Sequence, residues 1–256
     1  SSTSLGDRWV LSCRPSDGSD NGSWVNSSEV VPYETPEISW EDPTPPDGDK
    51  VTGVDVTLNT TVTSAFDTSA WFDWNGTLLG YWGVDHHNSS HVFDNSSYGR
   101  DASLEGSGFD GGDVVPGVRG DALDLSDGYL SVPGGVDAIL DNRVNWSFSV
   151  WVHASGGSQS LLGSSDSNIG MWIDSGLGIS ANPYFPSFST AAGAVDQGEW
   201  THLVIMRNGS AYSVYKNGVL FDNDSVSGSI GASSGALRVG ESDASGDFTG
   251  QLDEVL

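Results

Sequence analysis

The sequence predicts an all-β protein whose long C-terminal part forms a sandwich or barrel of many short strands. Helical periodicity is almost absent, and short β-rich runs alternate with turns built from Gly, Asn, Asp and Ser. The chain contains 34 glycines among its 256 residues, and these mark the corners between the runs. From about residue 80 onward the runs recur at the spacing that is typical of a sandwich or barrel.

The N-terminal third divides into two shorter stretches. Residues 1–31 hold two predicted strands, RWVLSCRPS and SWVNSSEVV, joined by the turn DGSDNG. Residues 32–79 begin with a Pro-rich linker, VPYETPEISWEDPTPPDGD, and continue into a predicted half-buried strand in which Val54, Val56 and Leu58 alternate with other residues. Because a lone hairpin is barely stable in water, we expect the first stretch to pair with a further sheet.

Residues 80–256 form the predicted sandwich, and two segments carry its clearest local signals. WSFSVWVH alternates between a predicted core face, with Phe148 and Val150, and an opposite face, with Trp151 and His153. Asn217-Gly218 lies between VYK and VLF and predicts a hairpin, because a type I′ turn needs positive φ at both central positions.

The charge of the chain argues against a nucleic-acid partner and predicts a high-salt environment. There are 35 acidic residues against 9 basic ones, so the formal net charge is −26. Nucleic acid phosphates would be repelled, and we expect no nucleic-acid partner. The acids are scattered through turns and strand edges, which favours a solvated acidic coat over an acidic tail. With only two lysines, this coat indicates adaptation to high salt, where self-repulsion is screened.

Asparagine usage predicts an extracellular, glycosylated protein. Nine of the thirteen asparagines open an N-x-S/T sequon, where chance predicts about three. The sequence shows no signal peptide or transmembrane run, so we expect any membrane anchor to lie outside this chain. The single cysteine, Cys13, has no partner in the chain. The sequons begin at Asn21, Asn26, Asn59, Asn75, Asn88, Asn95, Asn145, Asn208 and Asn223.

The first stretch resembles the last two strands of an immunoglobulin-like repeat of prokaryotic surface proteins. The resemblance is carried by Trp9 and Cys13 on the first strand, the turn Asp17-Gly18, and the run VNSS at residues 25–28. It implies that the chain starts inside a domain. The alternative is a donor-strand arrangement, in which the hairpin completes the sheet of a neighbouring subunit.

The long C-terminal stretch resembles a laminin-G-like, concanavalin-type jelly roll. Six segments carry the resemblance in the family's order: GYWGVD (80–85), DNSSYGRDASL (94–104), GDALDLSDGYLSVP (120–133), WSFSVWVHA (146–154), GEWTHLVIMRNGSAYSVYKNGVL (198–220) and GDFTGQLDEVL (246–256). The family's closing strand usually runs a few residues further, so we expect the natural chain to continue. The preceding FDTSAWFDWNGTLLGYW resembles the linker before this domain in archaeal surface proteins.

The sequence gives no sign of catalysis, and we expect no enzyme. Glycoside hydrolases with this type of fold place two carboxylates about 5 Å apart through an E-x-D-x-x-E run along one strand. The chain has no such run. Asp253 and Glu254 are adjacent, so they would point to opposite faces of a strand.

A structural calcium ion is the cofactor that the resemblance implies. Jelly rolls of this type often bind one calcium where the first and last strands meet, and the matching acids here are Asp85 and Asp253. The alternative is that both are ordinary outward strand acids. DGSDNG also begins like a calcium loop, but Ser28 stands where its bidentate acid would be, which favours a polar turn.

Two other groups of side chains are candidates for binding. The loop HHNSSHVFD contains His86, His87 and His91, but its neighbouring sequons argue against zinc and favour solvated histidines. NPYFPSF places three aromatics between stiffening prolines: Tyr184, Phe185 and Phe188. Rigid aromatics of this kind suit stacking on a sugar ring or anchoring a protein contact, and the alternative is that they enter the core.

Together these observations predict a non-catalytic extracellular binding or adhesion module that recognises glycans or a surface partner and works in high salt. The alternative is a structural subunit of a surface filament or of a virus fibre or spike, in which the jelly roll is decoration and the chain forms a homo-oligomer. Glycan binding by the jelly roll would favour the first function, and insertion of the hairpin into a neighbour would favour the second.

Overall fold

The computed structural model describes residues 12–13, 25–26, 37–46, 57–63, 76–106, 113–140, 143–166, 170–181, 187–225, 233–241 and 247–256. The chain divides into two compact units, Ser1–Phe72 and Asp73–Leu256. Within the described residues, no helix is both long and apolar enough to span a membrane.

The first unit contains two antiparallel strand pairs. Strand β1 (Ser12–Cys13) pairs with β2 (Val25–Asn26), and these strands lie inside the two runs predicted for the first hairpin. Its assignment to an immunoglobulin-like repeat stays a prediction. Strand β3 (Glu37–Glu41) pairs with β4 (Asn59–Thr63). The predicted linker therefore contains a strand, because the segment EISWE finds a partner further along the chain.

The second unit consists almost entirely of antiparallel strands. Its described residues include one short helix, α1 (Gly135–Leu140). The strands are β5 (His91–Val92), β6 (Ala102–Gly106), β7 (Val114–Pro116), β8 (Asp121–Asp124), β9 (Gly128–Val132), β10 (Asn145–Ala154), β11 (Gln159–Ser164), β12 (Gly170–Ile173), β13 (Ile179–Ala181), β14 (Phe188–Ser189), β15 (Thr201–Asn208), β16 (Ala211–Lys216), β17 (Val219–Ser225), β18 (Leu237–Val239) and β19 (Gly250–Asp253).

These strands form a two-sheet sandwich. One sheet has seven strands in the order β17-β16-β15-β10-β19-β8-β7, and the other has eight in the order β14-β13-β12-β11-β18-β9-β6-β5. The inward-facing side chains of both sheets make one hydrophobic core. Strand β10 confirms the predicted alternation: Phe148, Val150 and Val152 are buried, and the residues between them are partly exposed. The prediction of an all-β jelly roll is therefore confirmed.

The beginning and the end of this unit meet within the seven-stranded sheet. Strand β19 inserts between β10 and β8, and the chain before β5 joins it through a bridge between Trp82 and Val255. The Trp82 backbone N–H donates to the Val255 carbonyl at 2.8 Å, and the reverse bond measures 3.1 Å. The first and last segments are thus neighbours, as the resemblance implied.

The hairpin between β16 and β17 also follows its sequence signal. Asn217 and Gly218 have φ values of 50° and 78°, and they connect Lys216 with its directly paired residue Val219. Positive φ at both central positions is what a type I′ turn requires. The predicted turn is therefore confirmed.

Candidate functional site

Four aromatic side chains lie together on the outer face of the seven-stranded sheet. Trp151 and His153 point away from the core, because their neighbours Val150 and Val152 are fully buried in it. The antiparallel register places His202 of β15 directly opposite Trp151, and Trp200 just before β15 lies next to His153. All four side chains are partly exposed. We call this group the aromatic platform: Trp151, His153, Trp200 and His202.

The platform consists of two ring pairs. The Trp151 and His202 ring centroids are 4.9 Å apart with an interplanar angle of 33°, and those of His153 and Trp200 are 5.5 Å apart at 62°. Both spacings fall in the range in which aromatic rings attract one another. The pairing therefore holds each ring in a defined orientation before any ligand arrives.

Hydrogen bonds further fix His202. Its Nε2 lies 3.0 Å from Ser149 Oγ, and its backbone N–H donates to Asn217 Oδ1 at 2.9 Å. Burial lowers the pKa of the His202 imidazole below its ordinary value, since the charged form loses solvation. At neutral pH this ring is therefore uncharged and acts as a flat, weakly polar surface.

Polar side chains border the platform on the next two strands. Gln251 of β19 is paired with His153, and Asp124 of β8 is paired with Gln251. Both are partly exposed. The outer face thus presents ring surfaces beside amide and carboxylate groups, which is the combination that binds a ligand with one apolar face and several hydroxyl groups.

Trp151 is paired with His202 on one side and with Asp253 of β19 on the other. Asp253 is completely buried. The turn between β7 and β8 covers it, and the backbone N–H groups of Val118 and Arg119 donate to its Oδ2 at 2.9 and 3.0 Å. Gly117 permits this approach, because a Cβ there would lie 2.6 Å from Oδ2. Oδ1 is buried and has no hydrogen-bond partner. Burial, and to a lesser extent the charge of Glu254, raises the pKa of Asp253 to about 6, although the backbone donors oppose the shift.

Asp85 contacts the same turn from the first segment of the unit. Its Oδ1 accepts the Asp121 backbone N–H at 2.7 Å, and a Cβ at Gly120 would collide with this oxygen at 2.0 Å. The two acids that the resemblance pointed to are therefore brought to one turn. Each uses an oxygen to hold the backbone of that turn. Among the described residues, no group of three or more His, Cys, Asp or Glu side chains could hold a metal ion.

The backbone beside these acids adopts unusual conformations. Val84 and Glu254 have φ values of 63° and 52°, in the left-handed region that a β-branched residue such as valine rarely enters. The Tyr81 hydroxyl donates to Glu254 Oε2 at 2.7 Å and helps to fix the second of these positions. Such conformations persist only where the surroundings determine them, and they are concentrated at ligand sites.

Of the three proline-flanked aromatics, Phe188 is the one that the structure describes, and it does not lie at the surface. Phe188 is only 6% exposed and stacks on the buried Tyr212 with the ring centroids 4.4 Å apart. It is paired with Ala181 on strand β13 and points into the core. The prediction that Phe188 binds a ligand is therefore wrong, because strand pairing turns its ring inward. Tyr184 and Phe185 lie outside the described residues.

The loop histidines make separate local contacts. Nδ1 of His87 lies 2.8 Å from the Val84 carbonyl, and Nδ1 of His91 lies 2.9 Å from Ser90 Oγ. His86 packs its ring against Phe93 at 4.5 Å. These three side chains do not converge on one point as zinc ligands would.

Six of the nine sequon asparagines are exposed in the described part of the chain. Three of them, Asn145, Asn208 and Asn223, lie on the seven-stranded sheet, and Asn145 and Asn208 are directly paired across β10 and β15. The other exposed ones are Asn59, Asn88 and Asn95. Asn21 and Asn75 lie outside the described residues, as does the side chain of Asn26.

A cavity of about 580 Å³ lies at the end of β10 that is remote from the platform. Its walls include the core residues Leu162 and Leu237 and the partly exposed Met206, and Arg143 and Asn145 also line it. Because its lining is mainly apolar, this cavity offers few partners for the hydroxyl groups of a sugar.

The two-sheet sandwich agrees with the comparison with known families. Residues 124–256 match the Laminin_G_3 family, described as the concanavalin A-like lectin/glucanases superfamily. This match covers more than half of the chain, and the protein belongs to that superfamily. No curated protein matches the chain.

One solved structure shows the same fold at low sequence identity. Domain 4 of AbnA, a GH43 extracellular arabinanase from Geobacillus stearothermophilus solved in complex with arabinotriose, is 19% identical with a TM-score of 0.54. That match covers 69% of this chain and 89% of the arabinanase domain. Trypanosoma rangeli sialidase is 16% identical with a TM-score of 0.46, over 69% of this chain but only 29% of the sialidase.

Proposed function

We propose that the jelly roll is a non-catalytic, extracellular carbohydrate-binding module whose ligand stacks on the aromatic platform. The observation that carries the proposal is the pair of ring contacts, Trp151 with His202 and His153 with Trp200, on an outward sheet face. One face of a sugar ring is lined by C–H groups and its edge by hydroxyls. The rings would cover the C–H face, and Gln251 and Asp124 would meet hydroxyls at the edge.

The charge of the protein narrows the ligand class. A net charge of −26 repels anionic polysaccharides, and salt weakens this repulsion without reversing it. We therefore expect a neutral oligosaccharide. Arabinotriose, which was bound to the arabinanase domain of the same fold, is a suitable first probe.

The experiment is glycan binding by the full chain in molar KCl, first on an array of neutral glycans and then by titration calorimetry with arabinotriose and the array hits. Trp151→Ala and Trp200→Ala should each weaken binding about tenfold or more, since each removes one stacking surface. Trp172→Ala is the matched control, because Trp172 is a partly exposed, outward-facing tryptophan on the opposite sheet. Unchanged binding in both platform variants would overturn the proposal.

A structural ion belongs to this proposal. Calcium would be held by Asp253, whose buried Oδ1 lacks a donor and therefore fits a hard cation. Bound calcium would compensate the negative charge of the buried Asp253 carboxylate, where the first and last segments of the unit are neighbours. Asp85 would act indirectly, by fixing the turn that covers Asp253.

The second candidate is a self-assembling surface subunit, and one observation favours it. Val219 and Leu220 are 70% and 48% exposed at the start of β17, an edge strand of the seven-stranded sheet. Exposed apolar residues on an edge strand favour pairing with a second copy. Analytical ultracentrifugation in molar KCl tests this, since Leu220→Lys should convert an oligomer to a monomer. A monomeric wild-type protein would contradict it.

A further inference from the structure

A second concave site lies on the outer face of the eight-stranded sheet, on the side of the sandwich opposite the platform. It has a volume of about 390 Å³. This size lies within the range of small-molecule sites. We call it the polar groove; its lining residues include His91, Asp101, Ser103, Ser131, Gly135 and Ser234.

The floor of the polar groove is a row of paired residues across three strands. His91 of β5 is paired with Ser103 of β6, and Ser103 is paired with Ser131 of β9. Val132 after Ser131, Val92 after His91 and Ala102 before Ser103 are all fully buried. Because side chains alternate along a strand, the row faces outward, and its two serines are short enough to leave a depression.

The walls are two turns that approach closely. Gly135 has a φ of 71°, and a Cβ at this position would lie 3.1 Å from the Gly235 carbonyl oxygen. The Val136 backbone N–H donates to the same carbonyl at 3.0 Å. The turn at 133–135 and the turn at 234–236 are thereby held together along one side of the groove.

Hydrogen bonds to the surrounding chain fix the polar groups before a ligand arrives. The Asp94 backbone N–H donates to Asp101 Oδ1 at 3.0 Å, which leaves Oδ2 to accept from a ligand. His91 Nδ1 lies 2.9 Å from Ser90 Oγ, which leaves Nε2 for a ligand. The groove thus combines a positioned carboxylate, an imidazole nitrogen and the hydroxyl group of Ser131.

We propose that the polar groove is a second binding site for a neutral sugar, of about one sugar unit. A carboxylate that can accept from two neighbouring hydroxyls, beside side chains that can both donate and accept, matches a polyol. Phosphate or sulfate does not fit, because Asp101 and the net charge of −26 repel anions. A metal ion does not fit either, because Asp101 is the one carboxylate among the residues that line the groove. With the platform on the opposite face, one module could then bridge two glycan-bearing surfaces.

The test uses the full chain in molar KCl with both platform tryptophans removed, Trp151→Ala and Trp200→Ala, so that the groove is measured alone. The probes are the methyl glycosides of glucose, galactose, mannose and arabinose, titrated by calorimetry or by ligand-observed NMR. We expect at least one probe to bind. Adding Asp101→Asn should weaken that binding at least about tenfold, since a hydrogen bond to a charged group is lost.

A second variant and two controls complete the test. Ser131→Trp should fill the groove and abolish binding. Ser213→Trp, which enlarges a partly exposed serine on the other sheet, and Asp224→Asn, at an exposed carboxylate, should leave it unchanged. Absence of binding to all four probes, or binding that Asp101→Asn and Ser131→Trp leave intact, overturns the second site. The platform proposal is judged separately, by Trp151→Ala and Trp200→Ala in the chain with an intact groove.

Discussion

Asp253 should make the protein more stable as the pH falls, provided that calcium is absent. Its carboxylate is fully buried and its pKa is raised from 3.8 to about 6, so the folded protein binds this proton more tightly than the unfolded chain does. Since one pKa unit corresponds to about 1.4 kcal/mol, the charged form costs about 3 kcal/mol in the folded state at neutral pH. Between about pH 7.5 and about pH 5, protonation should remove about 1.4 kcal/mol of this cost.

The assay is urea unfolding in molar KCl with a chelator, at several pH values over this range. Asp253→Asn removes the titrating group, and its amide oxygen can still accept the Val118 and Arg119 N–H groups. The free energy of unfolding of the wild type should therefore gain about 1.4 kcal/mol more than that of the variant on acidification. Asp224→Asn, at an exposed carboxylate, should behave like the wild type. Parallel pH profiles for all three proteins would refute the burial argument.

Three further outcomes follow from the proposed ion, the acidic coat and the sequons. At about pH 7.5, calcium at a hundredfold excess over its dissociation constant should stabilise the wild type by about 2.7 kcal/mol and Asp253→Asn far less, measured by urea unfolding; equal gains would place the ion elsewhere. The melting temperature should rise between low and molar KCl, because screening relieves repulsion among 35 acidic residues; a flat dependence would contradict adaptation to salt. Native material should carry glycans at exposed sequons such as Asn88, Asn95 and Asn223, and an intact mass equal to that of the bare polypeptide would refute this.

The local parts of the fold could be predicted because their signals lie in adjacent residues. The alternation around Phe148 and Val150 fixes which face of β10 enters the core, and Asn217-Gly218 fixes the following hairpin. Both signals depend on backbone geometry that is complete within a few residues. Sequence alone therefore sufficed to place Trp151 and His153 on the outer face of β10.

The candidate site required information that no short segment contains. The contact of His202 with Trp151 depends on the register between β10 and β15, about fifty residues apart. The burial of Asp253 depends on a turn that precedes it by more than a hundred residues. The alternation of side chains along β19 predicts that Asp253, which is paired with Trp151, is exposed to solvent. It is buried because the turn between β7 and β8 covers it.

The prediction that Phe188 binds a ligand is wrong for a related reason. Neighbouring prolines indicate a stiff backbone, but they do not indicate which way a side chain points. The pairing of Phe188 with Ala181 and its stacking on Tyr212 decide that its ring enters the core. Long-range pairing thus overrides the local signal.

The most direct test of sugar stacking on the platform is to observe its tryptophan rings while a sugar binds. Heteronuclear NMR of the tryptophan indole N–H groups, assigned by substitution, reports on each ring during a titration with arabinotriose or another neutral oligosaccharide. We expect saturable shifts of the Trp151 and Trp200 signals, with the Trp172 signal unchanged. Saturable binding that leaves the Trp151 and Trp200 signals in place would contradict sugar stacking on the platform.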